Sequence, residues 1–159
     1  MQCARIDKVP AVAPAWTLQN LCDACPVPDT TTPEPVHIAC LCAAWCRLCD
    51  GYAAVFKPVL AALQLQHPQM VMHWVDIEDE AALVGDLDVE TFPTVVVATA
   101  TAVPFAGTLT PHADTLQRVL RAALAQGAAD TRRQAPEIEA FAARLRLRAP
   151  GPPHPGVAA

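Results

Sequence analysis

No stretch of this 159-residue chain is long and apolar enough to cross a bilayer. The longest apolar run, Val95 to Gly107, is interrupted by Pro104 and falls short of the roughly 20 residues a spanning helix needs. No secretory leader is expected either. Arg5 and Lys8 offer a charged start, but the apolar stretch Ala11 to Ala15 is short and broken by Pro14, which does not make a signal peptide. The expectation is a cytoplasmic protein in a reducing compartment, with no membrane partner. A basic excess is also missing: 11 Lys and Arg stand against 16 Asp and Glu, for a net charge of −5. A nucleic-acid partner, which calls for a basic face, is excluded on that ground. There is no internal repeat. The histidines His37, His67, His73, His112 and His154 show no metal-ligand spacing, so none is given a role.

What is present points to a folded domain. Apolar residues make up 53% of the chain and charged residues 17%, a balance that supports a core rather than disorder. The length fits one domain with short extensions. Eleven of the sixteen prolines crowd into residues 10–35 and 136–155. The expected division is a flexible Pro-rich arm over 1–35, a compact domain over 36–127, and a helix with a disordered tail over 128–159. The seven cysteines are Cys3, Cys22, Cys25, Cys40, Cys42, Cys46 and Cys49. An odd number in a reducing compartment reads as redox catalysis or metal binding before it reads as a disulfide framework.

Periodicity places the elements. Val36 to Cys42 is a short, almost continuously apolar run, the pattern of a strand buried on both faces. Asp50 to Leu65 repeats apolar residues at helical spacing through Tyr52, Val55, Phe56, Val59, Leu60 and Leu63, with Pro58 expected to kink it. Met70 to Val75 is a second buried strand, and Glu78 to Val84 a short helix. Thr94 to Ala98 is a β-branched third strand, with Val103 to Gly107 paired to it as a hairpin. Thr110 is expected to cap a helix that starts at Pro111 and runs to about Ala125. A last helix covers Pro136 to Arg148. Its arginines Arg144, Arg146 and Arg148 read as dipole complement and solvated face in preference to a membrane or acidic-partner site. The order β-α-β-α-β-β-α is a βαβ unit followed by a ββα unit.

The chemistry-bearing motif is Trp45-Cys46-Arg47-Leu48-Cys49, at the junction of the first strand and the long helix. A sulfur at a helix start faces unpaired backbone amides and the positive end of the dipole. Both favour the thiolate, which is the nucleophile in disulfide exchange. Cys49, one helical turn on, is placed to attack a mixed disulfide formed on Cys46. Arg47 either adds a helpful cation or is a solvated surface charge. A second mark is Thr91-Phe92-Pro93-Thr94: a proline just before a buried strand cannot donate to a ladder and suits a cis peptide in a tight turn.

Ala43-Ala44-Trp45-Cys46-Arg47-Leu48-Cys49, followed by Trp74-Val75-Asp76-Ile77-Glu78, then Phe92-Pro93-Thr94, then Gly107 before a closing helix, resembles the thioredoxin family over about Val36 to Ala125. The resemblance implies a thioredoxin-like three-layer α/β sandwich around a central mixed sheet, here with an added C-terminal helix. It implies a protein-disulfide oxidoreductase with Cys46 as attacking thiol and Cys49 as buried resolving thiol. Trp45 would shield the site, and Phe92 with the cis proline Pro93 would help bind substrate. Protein disulfides would be the substrates and a reductase or other dithiol the donor, with no cofactor and no metal required. The chain also departs from the family. The buried aspartate usual six residues before the first cysteine is Cys40, the lysine that usually faces it is Trp74, and the usual Gly-Pro between the cysteines is Arg47-Leu48.

Two other readings remain at this level. Cys22 and Cys25 precede Cys46 and Cys49 at a spacing, C-x2-C-x20-C-x2-C, that falls in the range of zinc sites; the four would then form a structural zinc module. If the fold holds, Cys22 and Cys25 are either an auxiliary redox pair or incidental thiols. The third reading is a non-catalytic thioredoxin-fold adaptor. Cys40 and Cys42 are expected on opposite faces of their strand, as small buried hydrophobes, with Cys40 the candidate for a third thiol beneath the active pair.

Overall fold

The computed structural model describes residues 33–126 and 133–148. Cys3, Cys22, Cys25, the greater part of the 1–35 arm and the segment beyond 148 lie outside the described residues.

The elements follow the predicted order. They are β1 (Val36–Cys42), α1 (Arg47–Gln64), β2 (Met70–Asp76), α2 (Ala81–Val84), β3 (Thr94–Ala98), β4 (Phe105–Thr108), α3 (Ala113–Gln126) and α4 (Pro136–Leu147). They form one four-stranded sheet in the order β2-β1-β3-β4. β1 runs parallel to β2, with Cys40 opposite Trp74, and antiparallel to β3, with Cys40 opposite Val95. β4 closes the hairpin, Val95 opposite Gly107. This is the mixed sheet of the thioredoxin-like sandwich that the resemblance implied.

The strand pattern sorts the core into two halves, because successive side chains of a strand point to opposite faces. Ile38, Cys40 and Cys42 of β1 pack with Val95 and Val97 against Cys49, Tyr52, Phe56, Leu60 and Leu63 of α1 and Leu116 and Leu120 of α3. Ala39 and Leu41 pack with Val75, Val96 and Ala98 against Val84 of α2 and Phe141, Ala142 and Leu145 of α4. β1 is buried along its whole length, as its unbroken apolar run requires.

Several boundaries moved, for local reasons. α1 begins at Arg47 rather than Asp50 and passes through the exposed Pro58 without ending. α2 is a single turn from Ala81, because Asp76 Oδ1 accepts the amides of Glu78 (3.0 Å) and Asp79 (3.4 Å) and holds that stretch as a turn. α3 begins at Ala113, not Pro111: the first helical bond runs from the Leu116 amide to the His112 carbonyl at 3.1 Å. Thr110 therefore does not cap it; its hydroxyl lies 3.3 Å from that of Thr115. β4 is displaced to Phe105–Thr108, and Val103 is buried in the preceding loop.

The last helix is a working layer of the sandwich. Its arginines are not a solvated face. Arg144 donates to the carbonyls of Leu83 (2.6 Å) and Val84 (2.7 Å) at the C-terminal end of α2. Arg146 donates to those of Thr99 (2.6 Å) and Ala102 (3.1 Å) in the β3–β4 turn, and Arg148 pairs with Glu80. The guanidinium of Arg144 lies where a side chain at Gly85 would go, and Gly85 holds φ +61°, a backbone region that favours glycine.

Beneath α4 two buried histidines meet. His37 Nδ1 of β1 lies 3.0 Å from His73 Nε2 of β2, with the rings stacked. Burial and then the Arg146 charge lower the His37 pKa; burial, then His37, then Arg148 lower that of His73 to about 4. The unfolded chain takes up protons at these rings as the pH falls through 6.5, while the folded chain keeps His73 neutral down to about 4. Protons are thus bound preferentially by the unfolded state in that window, and stability falls with falling pH across it. We predict that His73 alone accounts for a loss on the order of 2 kcal/mol between pH 7 and pH 4. Urea midpoints across that range check it: His73→Val should lose the corresponding part of the slope, and an unchanged slope contradicts the assignment.

Candidate active site

The site sits where β1 ends and α1 begins. The chain turns at Ala44 and Trp45, with the Cys46 amide bonded to the Ala43 carbonyl at 2.9 Å. Cys46 is the N-cap residue of α1 in an extended conformation, and its carbonyl accepts the amides of Cys49 (3.0 Å) and Asp50 (3.3 Å). Its side chain makes no capping hydrogen bond, so the sulfur stands at the positive end of an 18-residue helix with its chemistry uncommitted. Cys46 is half-buried, while Cys49 is 2% exposed. The outer cysteine is open to a partner and the inner one is not.

Around Cys46 the surface is apolar. Trp45 and Leu48 are exposed, 64% and 49%. The Trp45 ring meets Phe92 edge-on at 5.6 Å, and its indole N–H donates to Glu78 Oε1 at 3.1 Å. That contact brings the Phe92-Pro93 loop beside the cysteines, and the Phe92–Pro93 peptide is cis. Arg47 points into solvent and faces Asp50 at 3.9 Å, so of its two readings the surface charge is the one observed.

Below Cys49 the structure corrects the sequence analysis. Cys40 and Cys42 do not point to opposite faces. Residues two apart on a strand share a face, and the two sulfurs lie 3.7 Å apart on the α1 side of the sheet. It is Cys42, not Cys40, that reaches the active pair. Cys49 shares one buried cluster with Cys42, and Cys46 packs against that cluster. Burial, followed by the neighbouring Cys42 and Cys46 thiols, pushes the Cys49 thiol up from its ordinary range. The bond to Cys40, followed by burial, pushes Cys42 up as well. Tyr52 completes the layer: its ring is 1% exposed, and burial, then Cys40 and Cys42, raise its phenol. Its hydroxyl has no hydrogen-bond partner among the described residues. Strand parity alone pairs Cys40 with Cys42; no sequence signal marked Tyr52 or the histidine pair.

Cys40, Cys42, Cys46 and Cys49 are all free thiols. Among the described residues no group of three or more His, Cys, Asp or Glu side chains is arranged to hold a metal ion, and no helix is long and apolar enough to cross a membrane. The zinc reading needs Cys22 and Cys25, which lie outside the described residues.

No protein-family model matches the chain, and no curated protein matches it. Among solved structures it is similar to chloroplastic thioredoxin z, with 20% identity over 58% of this chain and 80% of that one and a TM-score of 0.46. It is similar to the germline-specific thioredoxin Deadhead of Drosophila melanogaster, at 15% identity over 55% of this chain and 80% of that one, TM-score 0.45. It is also similar to human ERp44 in its zinc-bound form, at 16% identity over 55% of this chain but 26% of that longer one, TM-score 0.48.

Proposed function

We propose that this protein exchanges thiols and disulfides with protein substrates through Cys46 and Cys49. One observation carries the reading: a half-buried sulfur at the N-cap of α1, with a buried sulfur one helical turn on. In the reducing direction the Cys46 thiolate attacks one sulfur of a substrate disulfide. The substrate bond breaks, its other sulfur leaves with the electron pair, and a mixed disulfide remains on Cys46. Cys49 then attacks the Cys46 sulfur, gives its proton to the departing substrate thiolate and closes the Cys46–Cys49 disulfide. An external dithiol or a reductase restores both thiols. The exposed faces of Trp45, Leu48 and Phe92 are the surface on which an extended, apolar substrate segment would lie, beside Pro93. The buried, protonated state of Cys49 keeps it from competing as a nucleophile until the mixed disulfide brings its target into contact. A cytoplasmic setting would favour the reducing direction, and the arm cysteines Cys22 and Cys25 remain candidates for an auxiliary pair.

Cys49→Ser tests the order of events. With the resolving thiol removed, the variant is expected to accumulate a covalent adduct with a disulfide-bonded peptide, visible as a mass increase and reversed by dithiothreitol. Fragmentation should place the bond on Cys46. An adduct on any other cysteine, or none, contradicts the assignment.

A further inference from the structure

The exchange cycle uses two of the four sulfurs that the fold brings together. The other two are not placed as isolated core fillers. Cys40 and Cys42 are 0% and 2% exposed, their sulfurs are 3.7 Å apart, and Cys42 packs in one buried cluster with Cys49, near enough for each thiol to shift the other's pKa. Tyr52 lies against them with a buried hydroxyl that no described group satisfies, although such groups normally find a partner. The result is a continuous line of thiols, Cys46, Cys49, Cys42 and Cys40, that starts half-exposed and ends in the core.

We propose that this line is a thiol relay in which Cys42 attacks Cys49 of the Cys46–Cys49 disulfide, moving the bond inward to Cys42–Cys49 and returning Cys46 to the thiol state. The proposal rests on the exchange reading above. The step is redox-neutral. The Cys42–Cys49 bond forms, the Cys46–Cys49 bond breaks, and its electron pair leaves on the Cys46 sulfur. That sulfur ends with the proton that Cys42 gives up. The oxidising equivalent comes from the substrate disulfide already reduced. A thiol held against one sulfur of a disulfide is what exchange requires.

The relay ends at Cys42. Two residues along a strand are separated by about 6.6 Å, the outer edge of the range a disulfide tolerates, so a Cys40–Cys42 bridge would distort β1. Cys40 instead flanks Cys42 as a hydrogen-bonding group while it loses its proton. The hydrogen bond to Cys40, followed by burial, holds Cys42 protonated at rest, so the inward shift is slower than substrate turnover, on the order of minutes or longer. Once it occurs, the protein stores one oxidation internally and again presents a nucleophile at the surface.

Disulfide mapping of the full chain tests this. Reduced protein is treated with one equivalent of diamide and sampled over an hour. Each sample is labelled natively with a maleimide, denatured, blocked with iodoacetamide, and mapped by peptide fragmentation. The expected sequence is an early Cys46–Cys49 bridge, then a Cys42–Cys49 bridge with the maleimide on Cys46. In Cys42→Ala, or Cys42→Val should the alanine variant fail to fold, the Cys46–Cys49 bridge should persist and Cys46 stay unlabelled. A wild-type chain that keeps only the Cys46–Cys49 bridge overturns the relay and leaves the exchange reading standing; so does a bridge from Cys49 to Cys3, Cys22 or Cys25 in place of Cys42. A chain that never forms a bridge at Cys49 overturns both.

Discussion

Cys46→Ser is expected to bring the reduction of insulin by dithiothreitol down to the rate of dithiothreitol alone, whereas the wild-type chain accelerates it. The sulfur is the only atom of the site that can form the mixed disulfide, because Cys49, Cys42 and Cys40 are all buried. A serine hydroxyl at the same N-cap can neither take part in exchange nor hold the leaving sulfur. The substitution should be conservative for the fold. Serine is a favoured N-cap residue, and Cys46 has no side-chain capping bond to lose. Circular dichroism and the thermal midpoint should therefore be close to wild type, so that lost turnover reports chemistry. Turbidity from precipitating insulin chains is the readout. Activity retained in Cys46→Ser would instead place catalysis elsewhere, with the arm cysteines Cys22 and Cys25 the remaining candidates. A wild-type chain no faster than dithiothreitol alone would favour the adaptor reading.

Phe141→Ala should be the most damaging single change to stability, by about 3–5 kcal/mol, the usual range for truncating a buried aromatic. Phe141 is fully buried on the face of the sheet opposite the cysteines, beside Leu145, Ala39, Leu41, Val96 and Val103. Its loss leaves a cavity and also weakens the docking of a 12-residue helix. That helix carries Arg144, which satisfies the end of α2, and Arg146, which holds the β3–β4 turn. The effects are coupled, so the upper part of the range is expected. Leu147→Ala is the control: Leu147 is 89% exposed, and its truncation should shift the urea midpoint by no more than about 0.5 kcal/mol equivalent. Should Phe141→Ala cost as little as the control, α4 is not the structural layer described above.

The site chemistry lies across the sheet from that helix, which makes the two results separable. Phe141→Ala should leave the cysteine reactivity of the folded fraction unchanged at low temperature, and Cys46→Ser should leave the unfolding curve unchanged. Between them they divide the molecule into a reacting face under α1 and a stabilising face under α4.

How much of this was legible beforehand depended on how local the cause was. The Val36–Cys42 run is uniformly apolar because β1 is covered on both faces, and that is visible in seven consecutive residues. The stripe of Tyr52, Phe56, Leu60 and Leu63 announced α1 for the same reason. The start of α3 was misplaced because Thr110 and Pro111 satisfy the rules for a cap and a first turn, and a local rule does not show that the chain delays two residues longer. The arginines of α4 were misread because a helix sequence shows charges in its last turn but not the carbonyls of residues 83, 84, 99 and 102 that will lie against them. The Cys40–Cys42 error differs in kind: period-two alternation put both sulfurs on one face.

Sequence by itself determined the order of elements, the strand-to-helix junction that carries Cys46 and Cys49, and the Phe92-Pro93 turn, since each follows from residues adjacent in the chain. Tertiary structure alone decided that His37 meets His73 across 36 positions, that α4 closes the second face, and that Cys42, Cys49 and Tyr52 share one buried cluster. Those contacts are set by parallel strand register and by which face each helix covers. Both are consequences of burying all the apolar surface at once, and no window of neighbouring residues contains them.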